Sequence, residues 1–219
     1  MNDALINING GDVQTLEIIF LLTMISLIPS ILIMTTSFTR IIIVLSIFRN
    51  ALGLQQTPPN MVLISIAIFL SLFIMGPVID EINETAYEPY RDELISQSEA
   101  LSRAQIPMKE FMLRQTKIDT LNLYLEFADM PAPEDNLLDL PMRIVIPSFM
   151  TSELSRAFVM GFLLYIPFLI IDIIVASNLM SMGMIMLPPV MISLPFKVLL
   201  FVVINGWDML FMTLVRSFH

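Results

Sequence analysis

The chain has 219 residues, 56% of them hydrophobic and 14% charged, with 18 methionines, 14 prolines and no cysteine; its mean hydropathy is +0.81. That balance excludes an ordinary soluble domain, which needs enough polar residues to cover a compact core, and the absence of cysteine removes disulfide and thiolate chemistry. The net charge of -9 is local: residues 80–143 hold 14 acids and 6 bases, and the bases are scattered singly, so no basic stripe is offered to phosphates and nucleic acid is not an expected partner.

Residues 1–15 form a polar segment without the cationic start and small-residue cleavage site of a secretory signal, so the chain either inserts through its first helix or is a processed product. Residues 16–79 read as a first hydrophobic helical hairpin. Ile18 to Thr39 carry no charge, and the apolar pattern resumes after Arg40 as far as Phe48. A second uncharged run, Asn50 to Ile79, contains the turn Pro58-Pro59-Asn60 and the apolar helix Met61–Met75. The first run is long enough to cross a hydrocarbon core, which takes roughly 20 apolar residues. Arg40 and Arg49 are expected on the loop side of this hairpin. The positive-inside bias then puts that loop in the cytoplasm and the N-terminus and the next segment outside.

Residues 80–143 are an acidic insert with amphipathic helices. One is predicted at about Tyr90 to Ala104, aligning Leu94, Leu101 and Ala104. A second starts with Pro107 at its first position and places Phe111, Ile118, Leu121, Leu125 and Ala128 on one face before Pro131. Asp80, Glu81 and Glu84 read as the polar end of the preceding helix. Residues 144–219 form a second hydrophobic hairpin through Ala157–Ile171, Ile173–Phe196, Val198–Trp207 and Met209–Val215. The expected fold is an all-α membrane-associated protein, two long kinked helical hairpins separated by an acidic amphipathic helical insert.

Several features oppose simple lipid-facing spans. Asp172 lies near the centre of an apolar run, where a charge costs about 2.5–3.5 kcal/mol, so it should face protein or water. Pro29, Pro77, Pro167, Pro188, Pro189 and Pro195 free backbone carbonyls that must find partners. With Arg40, Glu153 and Lys197, they suggest apolar surface packed against other subunits. Met180, Met182, Met184 and Met186 recur at every second position beside Gly183 and a double proline. An extended loop would turn them to one side, as a deformable ring around a pore; gap-filling in a helical core is the other reading, and the residues alone do not separate the two.

Enzyme chemistry has little support. The seven glycines form no phosphate loop or dinucleotide fingerprint, and the single histidine, His219, ends the sequence. No cofactor or metal is implied. A small-solute or proton-coupled transporter using Asp172 remains the competing reading, and an assembly scaffold a third.

The stretches Thr36–Val44 (TSFTRIIIV), Arg49–Gly53 (RNALG), Pro58–Asn60 (PPN), Met75–Asp80 (MGPVID), Thr151–Leu154 (TSEL), Pro167–Asp172 (PFLIID), Gly183–Pro189 (GMIMLPP), Leu194–Lys197 (LPFK) and Gly206–Trp207 closely resemble the FliP family. These are the export-gate P proteins of flagellar type III secretion, with an injectisome counterpart. The resemblance runs in order from about Val13 to the C-terminus, and Phe111–Thr116 (FMLRQT) resembles the flagellar branch. It implies a bacterial inner-membrane subunit of the flagellar basal body, with the acidic insert on the periplasmic side. It also implies a pentameric ring that joins the Q and R export-gate subunits, passes unfolded flagellar proteins and nucleates the export apparatus. In that assembly much of the apolar chain packs on neighbours and is raised out of the bilayer. By the same resemblance, Met182, Met184, Ile185 and Met186 form a pore gasket, Ile185 standing where relatives often carry a further methionine. Glu153 and Lys197 match charged positions at subunit contacts, with Asp172 and Arg40 grouped with them.

Overall fold

The computed structural model describes residues 4–8, 11–131, 136–184 and 186–218. The polar N-terminal segment pairs as a short antiparallel hairpin, β1 (Ala4–Ile8) with β2 (Gly11–Gln14), with Asn7 opposite Asp12. Helices build the remainder, as the composition predicts.

The first apolar run is two helices, α1 (Thr15–Thr35) and α2 (Phe38–Ala51), broken at Thr36 and Ser37. α1 leaves Phe20, Leu22 and Leu32 in the open, whereas α2 lies at the centre of the core. Its buried residues Ile41, Val44, Leu45, Phe48 and Ala51 follow helical spacing and make one apolar stripe. α2 packs along α7 (Met142–Ser181), whose buried Ser148, Ser152, Ala157 and Gly161 keep that helix thin where the two approach. A Cβ on Gly161 would stand 2.5 Å from Ile47 Cδ1, so the contact is close only because the residue is glycine.

α2 stops in a left-handed turn at Gly53 (φ +80°), whose N–H donates to the Asn50 carbonyl at 2.9 Å while Leu54 N–H donates to the Arg49 carbonyl at 3.2 Å. Arg49 Nη1 then closes the loop through the Pro58 carbonyl at 3.2 Å and Asn60 Oδ1 at 2.6 Å. Arg40 departs from the expected loop-side position. It sits near the other end of α2, on the order of 13 Å away by helical rise, bonded to Gln115 of the insert. Of the two cations used to orient the hairpin, only Arg49 adjoins its loop.

α3 (Asn60–Ile82) does not end at the acidic residues. It continues through a π-helical turn, Asn83–Tyr87, into α4 (Glu88–Arg91). In the wider turn Glu88 N–H donates to the Asn83 carbonyl, just before Pro89, which has no N–H to offer.

The insert's helices are shifted from their expected bounds. α5 (Gln97–Gln115) starts at Ser96, whose hydroxyl accepts from Glu99 N–H at 3.3 Å, and runs through Pro107 as an interior residue. The Ser96-x-x-Glu99 pattern, a capping box in sequence, outweighs the preference of proline for a first turn. Leu94 and Leu101 are exposed. The expected face from Phe111 to Ala128 is divided at extended Thr116 and Lys117, where Lys117 N–H donates to Ser152 Oγ of α7 at 3.0 Å; α6 (Ile118–Phe127) follows. Phe111, Leu121 and Leu125 are buried, but Ile118 points outward. Their apolar face joins the hairpin core against Val145 and Phe149, so the insert shares one core with the apolar helices.

α7 is 40 residues long and contains Pro147 and Pro167. α8 (Pro189–Val203) folds back on it, and α9 (Gly206–Arg216) leaves at a 67° bend after left-handed Asn205 (φ 51°). Phe48 of α2 anchors this end, with ring centres 5.9 Å from Phe168, 4.8 Å from Phe201 and 5.8 Å from Trp207.

Three helical stretches, Ile18–Thr35, Asn60–Arg91 and Met142–Ser181, are long and apolar enough to cross a membrane, and α8 with α9 makes a fourth if a bent pair counts as one span. The accessible surface is 14490 Å², against roughly 10,000 Å² expected for a soluble monomer of this mass. Phe69, Phe73, Phe162, Leu199 and Val202 are among the large apolar side chains left uncovered. Surface of this kind has to meet lipid or protein.

Candidate functional site

The four alternating methionines gather at the free end of the α7–α8 hairpin, in a form that differs from the expected extended loop. Met180 is still helical; Met182 caps α7, and Gly183 (φ +75°) takes the left-handed position that ends it. Gly183 N–H donates to the Met180 carbonyl at 3.0 Å and Met184 N–H to that of Leu179 at 2.9 Å, the paired bonds of a glycine-terminated helix. A glycine at this offset drives a compact reversal, so period two in sequence does not become period two in space. The side chains are nonetheless outside the core: Met180, Met182, Met184 and Met186 are 66%, 70%, 44% and 98% exposed. Core gap-filling within the chain is therefore overturned. Ile185 lies outside the described residues.

The hairpin carrying this tip is clasped internally. Asp172 of α7 accepts from Lys197 Nζ at 2.7 Å and from Ser193 Oγ at 2.5 Å, both on α8. Lys197 also donates to the Ala51 carbonyl at 3.0 Å, at the C-terminal end of α2, where free carbonyls concentrate negative potential. One lysine thus joins three helices. The mid-run carboxylate faces protein, as its cost in hydrocarbon requires.

A second ionic centre lies near the insert. Arg40 holds Glu153 by a two-bonded fork, through Nε at 2.9 Å and through Nη2. The remaining donors reach Gln115 Oε1 at 3.0 Å, the Ser217 carbonyl at 2.8 Å and Ser217 Oγ at 2.9 Å. The guanidinium centre stands 3.8 Å from the centre of the Phe218 ring. Gln115 Nε2 donates to the Phe218 carbonyl at 3.0 Å, and Arg156 Nη1 donates to Gln115 Oε1 at 3.1 Å. Both charged side chains are essentially sealed from water, Arg40 at 1% and Glu153 at 0% exposure. The planar fork of arginine makes such burial tolerable, because it satisfies both carboxylate oxygens at once.

Four charged residues singled out in the sequence therefore form two pairs within a single chain, Arg40 with Glu153 and Asp172 with Lys197. Sequence reasoning missed Ser193, Gln115 and Ser217. Ser193 had a signal, one helical turn before Lys197 on the same face; Gln115 and Ser217 had none. Among the described residues, no group of three His, Cys, Asp or Glu side chains is placed to hold a metal ion.

The family model described as the FliP family matches residues 21–214. The chain is 52% identical over 205 residues to the flagellar biosynthetic protein FliP of Bacillus subtilis, covering 94% of this chain and 92% of that one. It is 50% identical over 213 residues to the same-named protein of Aquifex aeolicus, covering 96% and 88%, and 47% identical to that of Caulobacter vibrioides, covering 100% and 84%. The match extends through both ionic pairs and the methionine tip, and with it the chain belongs to the FliP family of flagellar biosynthetic proteins.

Proposed function

We propose that this chain is a core subunit of the flagellar type III export gate, a homo-oligomer in the bacterial inner membrane whose methionine tips close the pore for unfolded flagellar proteins. The observation carrying this reading is the exposed methionine tip on a hairpin braced by Lys197 and Asp172. A ring of such tips presents soft, unbranched side chains that seal against one another and yield to cargo of varied shape. The uncovered apolar faces of α3, α7 and α8 supply area for sister subunits and for the Q and R gate subunits, and so for nucleating the apparatus. Arg40, Glu153, Asp172 and Lys197 support those contacts by fixing α7 and α8 against α2. The acidic insert faces the periplasm, and the subunit works as a conduit without catalysing a reaction. The engagement of Asp172 by Lys197 and Ser193 favours the gate over a transporter that would need a free intramembrane carboxylate.

The test is conductance. With the complex expressed in its membrane, replacing Met184 and Met186 by alanine is expected to raise small-ion leakage. Unchanged conductance in correctly assembled complexes would overturn the gasket.

A further inference from the structure

We propose that the tip of the α7–α8 hairpin is a binding site for a soft monovalent cation, Cu(I) or Ag(I), held by the thioether sulfurs of Met180, Met182, Met184 and Met186. The site belongs to one hairpin of one chain and does not rest on the pore reading.

Seven consecutive residues carry four of the chain's 18 methionines. None is buried: they are 66%, 70%, 44% and 98% exposed. The backbone draws them together. The reversal at Gly183 bonds Met184 N–H to the Leu179 carbonyl at 2.9 Å, which sets Met184 beside the last turn of α7, where Met180 lies. A second turn, with Leu187 N–H on the Met184 carbonyl at 3.4 Å, keeps Met186 close to Met184. Each side chain is unbranched with three rotatable bonds, so its sulfur is redirected by side-chain rotation.

The donor set selects the ion. Neutral thioethers are soft ligands that suit Cu(I) and its heavier congener, whereas Mg, Ca and Mn require carboxylate, carbonyl and water oxygens. Charged oxygen ligands are remote here. No charged residue lies between Ile173 and Phe196, and the chain has no cysteine. The neighbouring carboxylate, Asp172, already accepts from Ser193 and Lys197. A thioether carries no proton to lose, so binding should be independent of pH, unlike a thiolate or imidazole site that must deprotonate first.

The experiment uses the full chain in detergent micelles, titrated with Ag(I), which needs no reductant. Bound metal is measured by equilibrium dialysis, and its ligands by X-ray absorption. A sulfur first shell and an apparent Kd unchanged from pH 7 to about pH 4.5 are expected for a thioether site. Replacing the four methionines with leucine, which keeps size and apolarity, should weaken binding at least about tenfold. Replacing exposed Met61, Met209 and Met212 with leucine should leave it unchanged. If the four-site variant is not recovered folded, Met182→Leu with Met186→Leu, at the two most exposed tip positions, should still weaken binding. Wild-type affinity in the tip variants, loss in the control, or a nitrogen and oxygen first shell would each overturn the proposal.

Discussion

Arg40 and Glu153 stand 113 residues apart in the chain and meet as a two-bonded fork inside the core, where the same guanidinium also holds the Ser217 carbonyl and Gln115. Four parts of the sequence that share no local pattern, α2, the insert, α7 and the segment after α9, therefore converge on one cation. The cost of stripping water from both charges is offset only while every donor and both carboxylate oxygens are occupied.

The losses from removing the two partners should accordingly be far from additive. Glu153→Gln or Arg40→Met alone is expected to lower stability by about 3–5 kcal/mol, because each strands a buried charge. The double variant should lose clearly less than the sum of the two. Unfolding of the detergent-solubilised chain, read as a double-mutant cycle, measures the coupling; additive losses would show that the two residues act separately.

Gly161 offers a second test, of packing alone. A methyl group there meets Ile47 Cδ1 at 2.5 Å and Cβ and Cγ2 at 3.0 Å, so Gly161→Ala should cost about 1–3 kcal/mol by overpacking. Ile47→Val removes the nearest of these atoms and should restore part of the loss when combined with it. Thermal unfolding of the three variants decides the matter, and a harmless Gly161→Ala would mean that α2 and α7 separate easily.

Lys197→Met should loosen the tip without unfolding the chain. It leaves Asp172 with Ser193 alone and frees the Ala51 carbonyl, so α8 loses its ionic tie to α7 and its tie to α2. Limited proteolysis should cut between Met182 and Leu187 faster than in the wild type. Asp172→Asn, which keeps an acceptor oxygen for Lys197 and turns its amide N–H to the Ser193 hydroxyl, should show a smaller increase. Equal cutting in all three proteins would remove the clasp from the account of the tip.

Much of the fold was legible because its signals are local. Uncharged runs reported the apolar helices, the 80–143 charge imbalance reported the insert, and Gly183 with the double proline opposed a continuous helix where α7 ends. Boundaries failed where two local signals competed. Pro107 suggested a helix start, but the Ser96–Glu99 cap began that helix earlier, and the fixed φ of proline is compatible with the interior once the lost bond is accepted. The split at Thr116 and Lys117 had no local cause; it follows from a bond to Ser152 on another helix. The site divides in the same way. Its charged residues stood out as misfits in apolar sequence, whereas Gln115 and Ser217 resemble any polar surface residue until the chain folds around Arg40.

The sequence by itself determined the helical, membrane-compatible character of the chain, its family and the methionine cluster, since hydropathy, spacing and motif order are properties of neighbours along the chain. Tertiary structure alone decided that Arg40 lies beside the insert, that its partner is Glu153, and that the methionine tip is a tight reversal with its thioethers exposed. A buried charge must be neutralised by whatever the packing brings within about 3 Å, and periodicity fixes which face a residue occupies without fixing which other face it meets.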